Sequence, residues 1–559
     1  MTTRRPLAAH AGLASFAAAV SPSVQGAIHE IEDLAMAAQA DQAIEAARAT
    51  ASKLPDGVQG DDDRIAVGEV VAFVAAAAGA GPAGWALLDD LARQSVSHVA
   101  RGALYFHRGR QVMEVDAAEL LRLALGEFTR AGHARGRAVT LAAMCWPTKG
   151  AGSPEHRLRL GRQALELALT LDDAWAVAYC AGRLAGAEIY QGDRAGLEHY
   201  ALAAQALVAD PNPQSAAVAS LNQLNWGLDA FGYGDYADAR RILGEGRVVA
   251  LGEEWRHWFD GAIALVDWRT GALRTVPSAE VVDDWGALGS IVAAAVELET
   301  ARKPATTHAD AAADTVQRRS QQLKWLALAI QARLRVVRNE PAPLRGLGDF
   351  TDEAAQAEIR CGWEDAAMVL AEHEPATAGV LLRKLDDLWA DHPRALACRA
   401  VVDSLLDKRD RFGGLVEAAD VFAGLPEPVT AGRTLHLAAS VAPSVTEGNH
   451  LRRRAVDLLR RAGADRSLAA VLRDRTLHRG SSHEAIPDQL KGVVTGALTR
   501  REREVAVLAA KGLTAQEIAT ELSISVWTAR HHVQRVREKL GGVPKRKLGQ
   551  LLAEPDSFL

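Results

Sequence analysis

The sequence predicts an all-α protein: a superhelical body of repeated helix pairs followed by a small four-helix domain at the C-terminus. Three observations carry this. Apolar residues make up 48% of the 559 positions but aromatics only 5%, and Ala, Leu, Arg and Glu predominate. That mixture has high helix propensity and little Val/Ile/Thr alternation. Gly-Asp and Pro-containing breaks punctuate the chain at helix-length intervals. Charge is also uneven: residues 500–552 hold eleven bases against five acids, so a local +6 sits on a chain of net −6 and the remainder carries −12. A chain this long exceeds one core. The expected division is two helical arrays, 1–300 and 301–478, a linker at 479–496 and a basic tail at 497–559.

In chain order, a helical pair is expected from about Val24 to Ser52, with Leu54-Pro55-Asp56-Gly57 as the break. Asp61-Asp62-Asp63 opens the next helix, where acids oppose the helix dipole. Residues 70–88 lack charge over nineteen positions, the length of a membrane span. Gly79, Gly81, Pro82 and Gly84 interrupt them, so two buried helices joined by a Gly-Pro turn are expected instead. The N-terminal Ala-rich run is diluted by His10, Ser15 and Ser21 and does not read as a signal peptide. Cys145, Cys180, Cys361 and Cys398 are far apart and form no CxxC pair, which points to buried free thiols in a cytoplasmic protein.

The middle is more regular. Ser153-Pro154-Glu155 is a helix start, with Ser153 as cap and proline at the first helical position; the helix after it is expected to bury Leu158, Leu165 and Leu169. A second helix begins at Asp172-Asp173 and stops at Gly192-Asp193. A third runs to Asp210-Pro211-Asn212-Pro213, and a fourth to Gly234-Asp235. Phe231–Arg240, with its Gly-Asp-Tyr-x-x-Ala pattern, is similar to a tetratricopeptide helix–turn–helix, although no strict 34-residue period is present. Such hairpins each leave an apolar face that stacking neighbours bury.

Residues 301–315 are polar and read as a seam between arrays. Helices are expected again at 317–338, 352–372, 375–389, 394–407 and 429–442. Arg-rich helices follow at 451–462 and 466–477, with Gly463 between them. The body shows no phosphate-cradling G-x-x-x-x-G-K-[ST] run, no His-x-x-x-His metal pair and no Gly-x-Ser-x-Gly elbow, so neither an enzyme nor a cofactor is expected. Trp255, Trp258, Trp268 and Trp285 either pack in a core or line an aromatic ligand pocket.

The tail carries the chemistry. Thr499 with Glu502, and Thr514 with Glu517, each form a capping box that starts a helix. Ser525 caps a third helix. Along it, Val526, Ala529, Val533, Val536 and Leu540 fall on one buried stripe. Trp527, Arg530, His531, Gln534 and Arg535 fall on the opposite face. Arg and Gln on one face of a helix suit the DNA major groove, where both make bidentate contacts to base edges. Leu548, Leu551 and Leu552 mark a short final helix.

These residues also carry a resemblance. Arg501-Glu502-x-Glu504-Val505, Glu517-Ile518-Ala519, Ser525, Thr528, His532-Val533 and Lys539-Leu540-Gly541 resemble the LuxR/GerE-type helix-turn-helix over about residues 497–553. Ala515, Ala529, Arg530 and Lys545 depart mildly from its pattern and leave the target sequence open. The resemblance implies that Arg530, His531 and Gln534 face bases, with Trp527 beside them. It places Thr514, Ser525, Thr528, His532, Arg535 and Lys539 near phosphates, where contacts position rather than specify. It further implies double-stranded DNA as partner and a homodimer through the last helix. The expected function is a transcriptional regulator whose body senses a ligand or partner protein. The rival is an interaction scaffold whose tail binds protein.

Overall fold

The computed structural model describes residues 16–273 and 392–539, apart from 18–19, 37–38, 78–80, 111–116, 147–151, 208–212, 251–252, 407–410, 474–497, 511–512 and 523, together with short stretches between 292 and 382. The expected seam at 301–315, the helix at 317–338, the linker, Cys361, Trp285, Leu540 and the final helix with its dimer contact lie outside these residues. Every regular element among the described residues is helical, and none of these helices is long and apolar enough to cross a membrane. The chain divides into two compact units, residues 1–263 with 355–358, and 264–354 with 359–559.

In the first unit the helices are α1 (Pro22–Met36), α2 (Ala40–Ala51), α3 (Asp61–Ala77), α4 (Gly81–Gln94), α5 (His98–Gly109), α6 (Ala117–Arg130), α7 (Ala134–Cys145) and α8 (Pro154–Leu169). Then come α9 (Ala174–Tyr190), α10 (Gly196–Ala206), α11 (Pro213–Gly232), α12 (Tyr236–Val249) and α13 (Glu253–Arg269), whose last turns enter the second unit. The odd-numbered helices start at 22, 61, 98, 134, 174, 213 and 253, so one hairpin takes 36 to 40 residues. Hairpin partners such as α5 and α6, or α9 and α10, pack together, and α1, α3, α5, α7, α9 and α11 pack one on the next in a continuous row. That is the arrangement of a helical repeat, in which each hairpin buries its neighbour's apolar face.

Local chemistry sets the breaks. Gly192 (φ 79°) and Gly234 (φ 84°) take the left-handed conformation inside the α9–α10 and α11–α12 turns. The following amides, of Asp193 and Asp235, return to the carbonyls of Glu188 and Ala230 and close each helix end. Ser97, Ser153 and Asp173 cap α5, α8 and α9 through side-chain oxygens. Asp61 and Asp63 do more than oppose a dipole: Asp61 accepts the amide of Ser97 at 2.6 Å, and Asp63 accepts that of Ser21 at 2.8 Å. They thereby tie two loops to the start of α3.

One expected core face is corrected. Helix α8 buries Gly161, Ala164, Leu165 and Ala168, whereas Leu158 is half-buried and Leu169 is exposed. The small residues let the helices approach closely, and a side chain added at Gly161 would meet Cys145 Sγ and Leu184. The same device recurs at Gly182 of α9, where an added methyl would overlap the Asn222 amide of α11. Cores of this kind are built from Ala and Gly as much as from Leu. Cys145, Cys180 and Cys398 are buried free thiols, as expected, and burial pushes the Cys145 thiol up to about 12.

In the second unit, α14 (Pro393–Leu406), α15 (Arg411–Gly424), α16 (Pro428–Ser440), α17 (Val445–Ala462) and α18 (Asp465–Arg473) pack each on the next. Helix α15 was not anticipated. Within it Gly414 lies close against Ser404 of α14, whose hydroxyl would have to shift to admit a Cβ. Gly463 (φ 72°) ends α17 in the left-handed conformation, where a break was expected.

Buried charge organises this unit. Arg394 is 1% exposed and contacts three carboxylates: Glu364, Asp365 at 2.6 Å and Glu427 at 2.8 Å. Arg269 binds both oxygens of Asp365, at 2.8 and 2.7 Å. Burial alone would push the Asp365 carboxyl up, but the two guanidinium groups override it and hold it at about 2.

Candidate nucleic-acid interface

The tail folds around eight buried residues, Leu498, Val505, Ala506, Ala509, Ile518, Ala519, Ala529 and Val536, with Leu508, Leu513, Leu522, Ile524, Val526 and Val533 packed against them. They come from α19 (Arg500–Ala510), α20 (Ala515–Glu521) and α21 (Val526–Lys539). Both other helices pack against α21. Ala519 and Ala529 are small enough to bring α20 and α21 together.

Caps fix where each helix begins. Thr499 donates its amide to Glu502 at 2.8 Å and accepts the Glu502 amide on its hydroxyl at 3.3 Å. Thr514 and Glu517 repeat the exchange at 2.6 and 3.3 Å. Ser525 Oγ accepts the amide of Thr528 at 3.0 Å, and the two hydroxyls are 2.7 Å apart. All three starts agree with the reading from sequence.

Two contacts between distant residues hold the frame. Arg501 donates to the carbonyl of Leu522 at 2.7 Å, closing the C-terminal end of α20. Lys539 Nζ reaches Glu502 Oε2 at 2.6 Å, joining the last turn of α21 to the first turn of α19. Glu502 is buried. Burial would raise its pKa, but the Lys539 ammonium and the Thr499 amide and hydroxyl hold it below the usual carboxylate range. Capping-box spacing marks Glu502 in the sequence, whereas nothing local marks its pairing with a lysine 37 residues away.

The outer face of α21 is the one expected. Arg530, His531, Gln534 and Arg535 are exposed, and Trp527 is 73% exposed. Trp527 and His531, one turn apart, stack with centroids 5.4 Å apart and planes at 17°. Arg530 and Arg535 carry no ion pair among the described residues. Together these side chains present cations, donors and a flat aromatic edge on one side of a helix wide enough for the major groove.

The residues expected near phosphates divide into two groups. Ser525 and Thr528 lie at the N-terminus of α21, where the dipole and free amides favour an anion. Thr514 occupies the same position on α20, with its hydroxyl donated to Glu517 at 2.7 Å. Arg535 extends the exposed face. His532 is half-buried, and its Nδ1 is enclosed without a hydrogen-bond partner among the described residues. Lys539 is committed to Glu502.

Residues 496–547 match the family model GerE, described as bacterial regulatory proteins, luxR family. No curated protein matches the chain. The match supports a luxR-type helix-turn-helix at this end of the chain and, in general terms, a DNA-binding role in transcription regulation. It covers the tail and does not extend to the helical body.

Proposed function

We propose that the chain is a sequence-specific transcriptional regulator that reads the major groove with α21, under control of its helical body. The observation that carries this is the exposed face holding Trp527, Arg530, His531 and Gln534 on a helix whose opposite face is locked into a domain core. Arg530, His531 and Gln534 contact base edges, with Trp527 at the groove wall. Thr514, Ser525, Thr528, His532 and Arg535 contact phosphates. Lys539 reaches phosphate only by giving up Glu502.

The tail, from 497, follows two arrays at 1–300 and 301–478 and a linker at 479–496. It works in the bacterial cytoplasm as a homodimer through its final helix, on half-sites about one helical turn apart. The body, with no catalysis assigned to it, senses a ligand or partner protein.

The test is a gel shift on fragments recovered by genome-wide footprinting, run across a salt series. Affinity should fall steeply with salt, because phosphate contacts release counterions. Arg530→Ala should lose about 1–3 kcal/mol on the preferred fragment and little on unrelated DNA. Equal loss on both would remove Arg530 from base reading.

A further inference from the structure

We infer a ligand site on the first unit that takes an aromatic carboxylate, held by Arg110, Arg183, Tyr179 and Trp175. This rests on reading the body as a sensor and names what it would sense. Trp175, Tyr179 and Arg183 are spaced four apart along α9, on one stripe of a helix in the continuous row. The rings of Trp175 and Tyr179 stack at 5.0 Å with planes at 12°. The Arg183 guanidinium lies 5.3 Å from the Tyr179 ring and 5.7 Å from Trp146, and Arg135 lies 5.0 Å from Trp175. Rings and guanidinium groups therefore form an unbroken run from Arg135 to Trp146. Arg110, just past the end of α5, is within electrostatic reach of Tyr179 and Arg183.

The run has an imbalance of donors over acceptors. Arg110 Nη1, Tyr179 Oη and Trp175 Nε1 are enclosed and have no hydrogen-bond partner among the described residues. Arg183 has no carboxylate partner there either. Arg135, at the other end, is matched by Asp173 at 2.6 Å, so the missing acceptor is local to Arg110 and Arg183. Burial and the repulsion of Arg183 push the Arg110 pKa down, against the pull of Tyr179.

Enclosed donors without acceptors are costly and rare in folded proteins. What satisfies two guanidinium groups, a phenol and an indole N–H together is an oxyanion. An aromatic carboxylate fits better than a phosphate, because it brings both an oxyanion fork for the guanidinium groups and a ring that can extend the aromatic run. Aromatic walls with a few convergent donors are also how small-molecule sites are generally built.

Calorimetry on the full chain tests this with three probes: benzoate, acetyl-glycyl-phenylalanine with its free C-terminal carboxylate, and benzamide as the neutral isostere. At least one carboxylate should bind tenfold or more tighter than benzamide. Benzoate alone would indicate a free small acid, and the dipeptide alone a peptide terminus. Arg110→Gln and Arg183→Gln should each weaken binding about tenfold. Arg183 is half-exposed, so its variant stays informative should the Arg110 variant not fold. No preference for carboxylate over benzamide, or wild-type affinity in the Arg183 variant, overturns the site. Gel shifts on the same preparations separate the two readings: DNA binding without carboxylate binding removes this site alone, and no DNA binding by the wild type removes the regulator.

Discussion

Arg394 in the second unit and Arg530 on α21 are the same residue type used in opposite ways. Arg394 is enclosed and met by Glu364, Asp365 and Glu427; Arg530 is exposed and has no carboxylate partner among the described residues. A guanidinium group used for folding comes with its counter-charges, because a buried charge without a partner is strongly unfavourable. One kept for an external polyanion cannot be neutralised internally without losing its purpose. The contrast separates the chain's cations into those that build and those proposed to read.

The largest effect should come from breaking the building half. Arg394→Ala removes the guanidinium group shared by the enclosed Glu364, Asp365 and Glu427, and should cost about 3–5 kcal/mol of stability. Thermal unfolding of the full chain would show it as a lower first transition. Arg530→Ala should leave that curve unchanged. A comparable loss from Arg530→Ala would erase the distinction between the two arginines.

Acid should act on the same cluster, more gently. The Asp365 carboxyl is held at about 2, below its ordinary 3.8. A group with a depressed folded pKa stabilises the fold above its unfolded value and loses that contribution as pH falls through the folded one. Stability of the second unit should therefore decline between about pH 4 and pH 2, and Glu502 adds a loss of the same sign in the tail. Unfolding midpoints in urea from pH 6 to pH 2 would measure it. In Asp365→Asn that part of the slope should be missing.

How much of this was legible in sequence differs between the two regions. In the tail, capping boxes at Thr499 and Thr514, the Ser525 cap and the stripe through Ala529 and Val536 are local patterns, and each reappears in the structure. The body's helices were also legible where breaks are chemical, as at Gly192 and Gly234. Leu169 misled because helix packing through Gly161 and Ala164 moves the buried stripe onto small residues. The packing of Gly414 against Ser404 in α15 shows only once the chain is folded. The Arg394 cluster was invisible, since its members, from Arg269 to Glu427, stand up to 158 positions apart in the chain and meet only after folding. The pairing of Lys539 with Glu502 was missed for the same reason, and it withdraws one cation from the set proposed to meet DNA.

That pairing predicts an intermediate effect. Glu502→Ala removes the acceptor for both Lys539 and the Thr499 amide, and should destabilise the tail by about 1–3 kcal/mol. It also frees Lys539, so non-specific DNA affinity of the folded fraction should rise slightly. Gel shifts at a temperature where circular dichroism shows the tail folded would separate the two. If DNA affinity fell without unfolding, Lys539 would belong with the building residues through a positional role.

The smallest effect sharpens the comparison most, because Ser525 stands on both sides of it. Its hydroxyl caps α21 and also lies where a phosphate would approach the helix N-terminus. Ser525→Ala loses the cap and should cost about 1 kcal/mol of tail stability. Ser525→Asp keeps a good cap, since aspartate accepts the same amide and its charge suits the helix dipole. Thermal stability should then match the wild type. The carboxylate would nevertheless face the DNA backbone, so binding to every fragment should weaken and target preference should stay the same. Normal DNA binding by Ser525→Asp would place Ser525 among the residues that only build, and would move the phosphate contact away from the start of α21.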